Sequence, residues 1–287
     1  MGALRVAVGD GPLRSEHARL LRTALRRGDR QPEREPGERI DTGCYDESTL
    51  RAARRTWLRR MVNEHQSAAV FSQLLPQLIE AEATLDHKTS VLRMSMDELR
   101  HGGLCGGIVE ALGGVAAVDM ELAPRPLPTH PGCSPLERVL RNALFFGCIS
   151  ESVAVALTTE ERERTTEPLV RRTIDQIVSD ESLHARFGWS LVSDAAPELD
   201  AAARDRTNAW LRTAFAYFEV KEMDEIPACP APPEALVVEG RALGVCENLE
   251  TRELVFECLG AVVIPGLEAA GFAAHDAWKR RGEARAA

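Results

Sequence analysis

The sequence predicts an all-α protein: a four-helix bundle with one long crossover connection, extended by further helices toward its C-terminal end. Three observations carry that prediction. Apolar residues from about Asp46 onward recur at helical spacing, and no segment alternates as a strand does. Breaks rich in proline or glycine cut this pattern into long segments. The first two segments and the next two have short connections, which make antiparallel neighbours, while about 20 residues join the pairs. Composition agrees: 5% of 287 residues are aromatic, and Ala, Leu, Arg and Glu, which lose little on entering a helix, are abundant.

Residues 1–45 read as an N-terminal arm: 13–26 suit a short basic helix, and 27–37 combine two prolines with dense charge. A first helix runs from about Asp46 to Glu82, with Trp57, Met61, Ala68 and Phe71 on one side and Pro76 marking a kink. A second runs from about Asp86 to Leu112 and is stopped by Gly113 and Gly114. The crossover carries Pro124, Pro126, Pro128 and Pro131 and ends in Ser134-Pro135-Leu136-Glu137. That is a capping box, with Ser134 at the cap and Glu137 expected to reach back to the Ser134 amide. The third helix reaches about Glu160. The fourth opens near Thr165–Pro168, with threonine as cap, and reaches about Val192. Two more span about 199–220 and 249–264, around a second proline cluster. Three units result: the arm, a bundle over 46–195, and a C-terminal extension over 196–287 packed on it.

The chain carries 35 Lys+Arg against 44 Asp+Glu, a net charge of −9. That balance argues against nucleic acid or an anionic membrane surface as a partner. No contiguous apolar run approaches the ~20 residues that span a bilayer, and the N-terminal segment lacks the apolar run of a secretory signal. Seven cysteines with no CxxC give neither a disulfide framework nor a thiolate metal site. The expectation is a cytoplasmic protein.

Chemistry enters with a repeated pattern, Asp97-Glu98-Leu99-Arg100-His101 and Asp180-Glu181-Ser182-Leu183-His184. Glu and His three apart share a helix face, so a carboxylate and an imidazole can bind one ion together. One Glu-x-x-His is expected by chance roughly 0.7 times in this composition; two copies, each preceded by Asp, are a sharper signal. Hairpin geometry strengthens it. Residues equidistant from an antiparallel turn sit at one height, because each helix rises ~1.5 Å per residue. Glu64 and the Glu98/His101 pair centre near residue 82, and Glu151 and the Glu181/His184 pair near 167, which are the two turns. Four carboxylates and two histidines then meet at one depth, the donor arrangement of dinuclear carboxylate sites. The competing reading is a set of ordinary surface pairs on a metal-free helical scaffold.

The segments EHQSAAVF from Glu64, DELRH from Asp97, GCISE ending at Glu151 and DESLH from Asp180 resemble the ferritin-like di-iron carboxylate superfamily, in particular a bacterial ferritin-like group. The resemblance covers roughly residues 57–192. It implies two iron ions, one on Glu64, Glu98 and His101 and one on Glu151, Glu181 and His184, with Glu98 and Glu181 as bridges. It implies further that Asp97 orients His184 and Asp180 orients His101. Arg100 and Cys105 match an arginine and a cysteine of the multicomponent monooxygenase hydroxylases, although Leu183 breaks the match in the second motif. Cys105 reads equally as a small core residue. Mn/Fe would use nearly the same donors.

The function this implies is an O2-dependent di-iron oxidoreductase, a monooxygenase-type enzyme that hydroxylates, desaturates or N-oxygenates a small organic substrate. An external electron donor, ferredoxin-type or a flavin reductase, is expected, and a homodimer is compatible with the apolar C-terminal helices. Small residues at Gly102, Gly103, Cys105 and around Glu151 suggest space for substrate beside the metals, or else close helix packing. The alternative is iron handling: ferroxidase, storage or peroxide scavenging. The proline-rich crossover and the C-terminal extension exceed what a minimal storage bundle needs.

Overall fold

A computed structural model of the chain describes residues 2–5, 38–226 and 232–285. Of the arm expected over 1–45, residues 6–37, with the short basic helix, lie outside the described residues.

Helix α1 is Glu47–Glu80. It opens where the Asp46 carboxylate accepts from the Ser48 amide at 2.7 Å, which satisfies one of the free amides of a first turn. It runs on through Pro76. Helix α2, Leu85–Ala111, ends as expected, with Gly113 in the left-handed region at φ 76°. Helix α3 is Pro135–Arg164 and α4 is Pro168–Ala195. The α1–α2 turn covers 81–84 and the α3–α4 turn 165–167, centred where the sequence placed them. Neighbouring contacts run α1–α2, α2–α4, α4–α3 and α3–α1, closing the bundle.

Four expectations need correction. Gly2–Arg5 (β1) and Ala117–Met120 (β2) pair as an antiparallel ribbon, too short for its alternation to register against the helical background. Only half the capping box forms. Ser134 Oγ accepts from the Glu137 amide at 3.2 Å, but the Glu137 carboxylate binds Arg141 and Arg206 at 2.6 Å each, because two cations outcompete one amide. Glu167, not a threonine, caps α4. The apolar stretch of α3 also departs from the run-length reading. It is long and apolar enough to cross a membrane, yet 72% of its most apolar window is buried inside the protein. A few polar residues within it made the run look short.

Toward the C-terminal end, α5 (Ala201–Glu225), α6 (Glu234–Ala242) and α7 (residues 248–269) cover α1 and α3, and α8 (Ala274–Lys279) packs on α5. Both α6 and α8 go beyond the expected elements. Leu211, Phe215, Val255, Leu259 and Leu267 join Leu144 and Ile149 of α3 in one apolar cluster. Trp57 Nε1 donates to the Leu243 carbonyl at 2.9 Å and fastens the α6–α7 connection to α1. Two other clusters fill the bundle. Trp57, Met61, Cys105 and Ile177 lie toward one end, and Phe71, Leu74, Met94 and Phe187 toward the other. The polar site sits between them.

Candidate metal centre

Each of the four bundle helices delivers its donors by the spacing read from sequence. On α2, Glu98 and His101 share a face, as do Glu181 and His184 on α4; Glu64 comes from α1 and Glu151 from α3. One side-chain ligand atom from each of Glu64, Glu98, His101 and Glu181 lies within 4.8 Å of the other three, and the same holds for Glu98, Glu151, Glu181 and His184. Glu98 and Glu181 belong to both sets. The structure thus brings all six residues together, and five of the six are buried, with Glu64 half-buried.

Helix α3 reaches the site by a route periodicity does not show. Residues Ala143–Ser150 form a π-helical segment between Pro135–Asn142 and Glu151–Arg164. The wider turn adds a residue and re-aims the helix beyond it, a device common at functional sites. It also presents Gly147 to Gly188 of α4 at backbone contact: a Cβ on Gly147 would stand 2.6 Å from the Gly188 Cα. Of the two readings for this small residue, close packing is the one realised; Gly147 does not border open space. Gly103 is exposed, with nothing within 4 Å of the position of a Cβ, so it faces outward.

The electrostatics are those of crowded acids. Burial pushes the carboxyls of Glu98 and Glu151 well above their ordinary range, and the neighbouring Glu181 adds to both. For Glu181 burial works in the same direction but is outweighed by the Glu151 hydrogen bond and the two imidazoles, so it is held well below. Burial opposes charge on His101 and His184 too, yet the surrounding carboxylates hold both well above a free histidine. Charge is thus disfavoured on two of the acids and favoured on both imidazoles, which offsets the crowding, and a bound cation can take over that role.

The donors fit divalent ions on an observation of their own. His101 Nδ1, His184 Nδ1 and Glu151 Oε2 are buried without hydrogen-bond partners, which in a low-dielectric interior is costly unless a ligand satisfies them. His101 Nδ1 faces Glu181 at 3.3 Å and Glu64 at 3.5 Å. His184 Nδ1 faces Glu98 at 3.0 Å and Glu181 at 3.3 Å.

Behind the imidazoles stand the two aspartates. His101 Nε2 lies within hydrogen-bond distance of Asp180 Oδ2, at 3.1 Å, whereas His184 Nε2 lies 3.6 Å from Asp97 Oδ2, so the crossed arrangement is present with one of its two hydrogen bonds made. Arg100 binds Asp180 and lies 3.6 Å from Asp97. Cys105 is fully buried, and burial with the nearby Glu64 keeps its thiol protonated. Sequence reasoning passed over Arg93, which binds Asp97 at 2.7 Å, and Gln176, which donates to Asp180 at 3.2 Å. Each stands four residues before a motif aspartate, an i,i+4 spacing that could have revealed both. It also missed the part-buried Arg60–Glu161 pair, which joins α1 to α3 a turn from Glu64.

Fold and site together describe an all-α, ferritin-like helical bundle enclosing a carboxylate–histidine cluster. No protein-family model matches the chain, and no curated protein is similar to it in sequence. A solved structure described as "Protein 19 with aldehyde deformylating oxidase activity from Synechococcus" superposes with a TM-score of 0.56 at 20% identity, over 84% of this chain and 98% of that one. At that identity, the likeness is one of fold.

Proposed function

We propose that the chain is a non-haem di-iron oxidoreductase that uses O2 to oxidise a small organic substrate by hydroxylation, desaturation or N-oxygenation. One observation carries the reading: two buried donor sets share Glu98 and Glu181, and each contributes its own unpartnered imidazole Nδ1. Glu64, Glu98 and His101 would hold one ion and Glu151, Glu181 and His184 the other, with the shared glutamates between them. Bound ferrous iron supplies the electrons that reduce O2. The oxidase activity in the neighbour's description is in keeping with this chemistry.

The chain's own residues hold and shield. Asp180 would accept a hydrogen bond from the Nε2–H of His101 when Nδ1 holds an ion, which fixes the ring. Phe71 packs against the His184 ring at 5.7 Å and, with Met61, Met94 and Ile177, keeps bulk water from the donors. Inserting one atom of O2 into a substrate and releasing the other as water consumes two electrons and two protons from outside. A ferredoxin-type or flavin-linked reductase belongs to the reading for that reason.

Anaerobic loading with ferrous iron tests it. About two irons per chain are expected, followed by oxidation with O2 and incorporation of labelled oxygen into a substrate when reductant is supplied. A chain that takes up no iron removes the proposal. A many-subunit shell accumulating ferric mineral would replace it with iron handling.

A further inference from the structure

The two halves of the centre match in their donors and differ in what stands behind them. Asp180 Oδ2 lies within hydrogen-bond distance of His101 Nε2, at 3.1 Å. Asp97 Oδ2 stands 3.6 Å from His184 Nε2, which has no hydrogen-bond partner although it is buried. The aspartates differ in how an arginine holds them: Arg100 binds Asp180 through Oδ2, whereas both oxygens of Asp97 are taken by Arg93. The Arg93 Nε lies 2.8 Å and 2.7 Å from the two oxygens of Asp97, so one N–H straddles the carboxylate and claims both. The matching position on α4 is Gln176, a neutral amide that donates to Asp180 at 3.2 Å; Arg100 binds the same Asp180 oxygen and Arg93 Nη2 lies 3.7 Å from the other, yet the bond to His101 stays in place.

An imidazole whose Nε2–H is given to a carboxylate is fixed in ring angle and tautomer, and its Nδ1 is the more basic donor. One without that partner has to be oriented by the ion itself. Resting on the di-metal reading above, we infer that Arg93 is a positioning residue that makes the two metal sites unequal. It holds Asp97 off His184, so the set of Glu98, Glu151, Glu181 and His184 fills second. The set of Glu64, Glu98, His101 and Glu181 fills first. Loss of such a partner costs about 10–100-fold in metal affinity, which sizes the gap. The mono-metal form is then a defined species whose ion sits on His101.

Anaerobic titration of the full chain with Co(II), followed by calorimetry and by the absorption of the bound ion, reads both steps. Two steps about 10–100-fold apart are expected; His101→Ala removes the tighter and His184→Ala the weaker. Arg93→Gln, which gives α2 the amide that α4 carries, draws the second step toward the first, and Arg93→Lys preserves the gap. Adding Asp97→Asn to Arg93→Gln cancels the gain, since no carboxylate remains to accept from His184. Equal weakening of both steps in Arg93→Gln, as a merely structural role would give, overturns the inference. Uptake of two ions in a single step by the unaltered chain overturns it while leaving the metal centre standing. No uptake at all removes the metal reading and this inference with it.

Discussion

Gly147 of α3 and Gly188 of α4 meet backbone to backbone: a Cβ built on Gly188 would stand 2.6 Å from the Gly147 Cα. Gly147 lies one turn before Glu151 and Gly188 one turn after His184, so this crossing sets how closely that carboxylate and imidazole, 3.7 Å apart, can approach. Gly188→Ala gains about 1 kcal/mol of helix propensity. It also forces a backbone shift, and such overpacking costs about 1–3 kcal/mol. The expected outcome is a lower denaturant midpoint together with weaker metal uptake at the His184 set. Unchanged stability would mean that the helices part without cost.

Glu98 and Glu181 lie in both donor sets, so losing either should affect both ions. Glu98→Ala and Glu181→Ala are each expected to bring bound iron well below the unaltered chain's level while far-ultraviolet circular dichroism stays helical. Glu98→Ala should not destabilise the metal-free fold, because burial and two neighbouring carboxylates already disfavour its charge. Full iron occupancy in both variants would refute the assignment.

His130 offers a pH test away from the centre. Burial holds its pKa below the ordinary 6.5, where its Nε2 bonds to Asn142 at 3.1 Å and its ring meets Trp210 edge-on at 5.4 Å. The unfolded chain therefore takes up this proton more readily than the folded one. Its contribution to stability is complete above about 6.5 and is lost as pH falls through the depressed folded value. His130→Asn, a residue that also tolerates the left-handed φ of 46° found there, should flatten that slope. Parallel stability–pH curves for the two chains would discount the effect.

Glu137 has no exposed surface, and its carboxylate binds Arg141 of α3 and Arg206 of α5. Glu137→Ala leaves the mostly buried Arg141 charge uncompensated, a loss of about 3–5 kcal/mol. Arg206→Ala, which removes a half-exposed partner, should cost far less. Urea unfolding of both variants checks the ranking, and equal losses would contradict it.

Much of the fold was legible because its signals are local. Gly113 stops α2, Ser134 caps α3, α1 opens near Asp46, and turn positions alone brought Glu64 level with Glu98 and Glu151 level with Glu181. What escaped depends on contacts between distant segments. The β1–β2 ribbon joins residues more than a hundred positions apart. The π-helical segment, the Gly147–Gly188 contact and the turn of Glu137 toward Arg206 are settled by packing that no periodicity encodes. Around the site, the donors repeat as a motif and could be read. Arg93 and Gln176 repeat in position but not in chemistry, so the pattern passed unnoticed.

The shared glutamates carry one more consequence. Each helical hairpin supplies three donors to one ion and the other hairpin supplies the fourth: the first set draws Glu181 from the second hairpin, and the second draws Glu98 from the first. On the metal reading, a nascent or partly unfolded chain with its halves apart would hold each ion by fewer donors and without its shared carboxylate. The centre would therefore act as a checkpoint, arming the protein only after its two hairpins have docked.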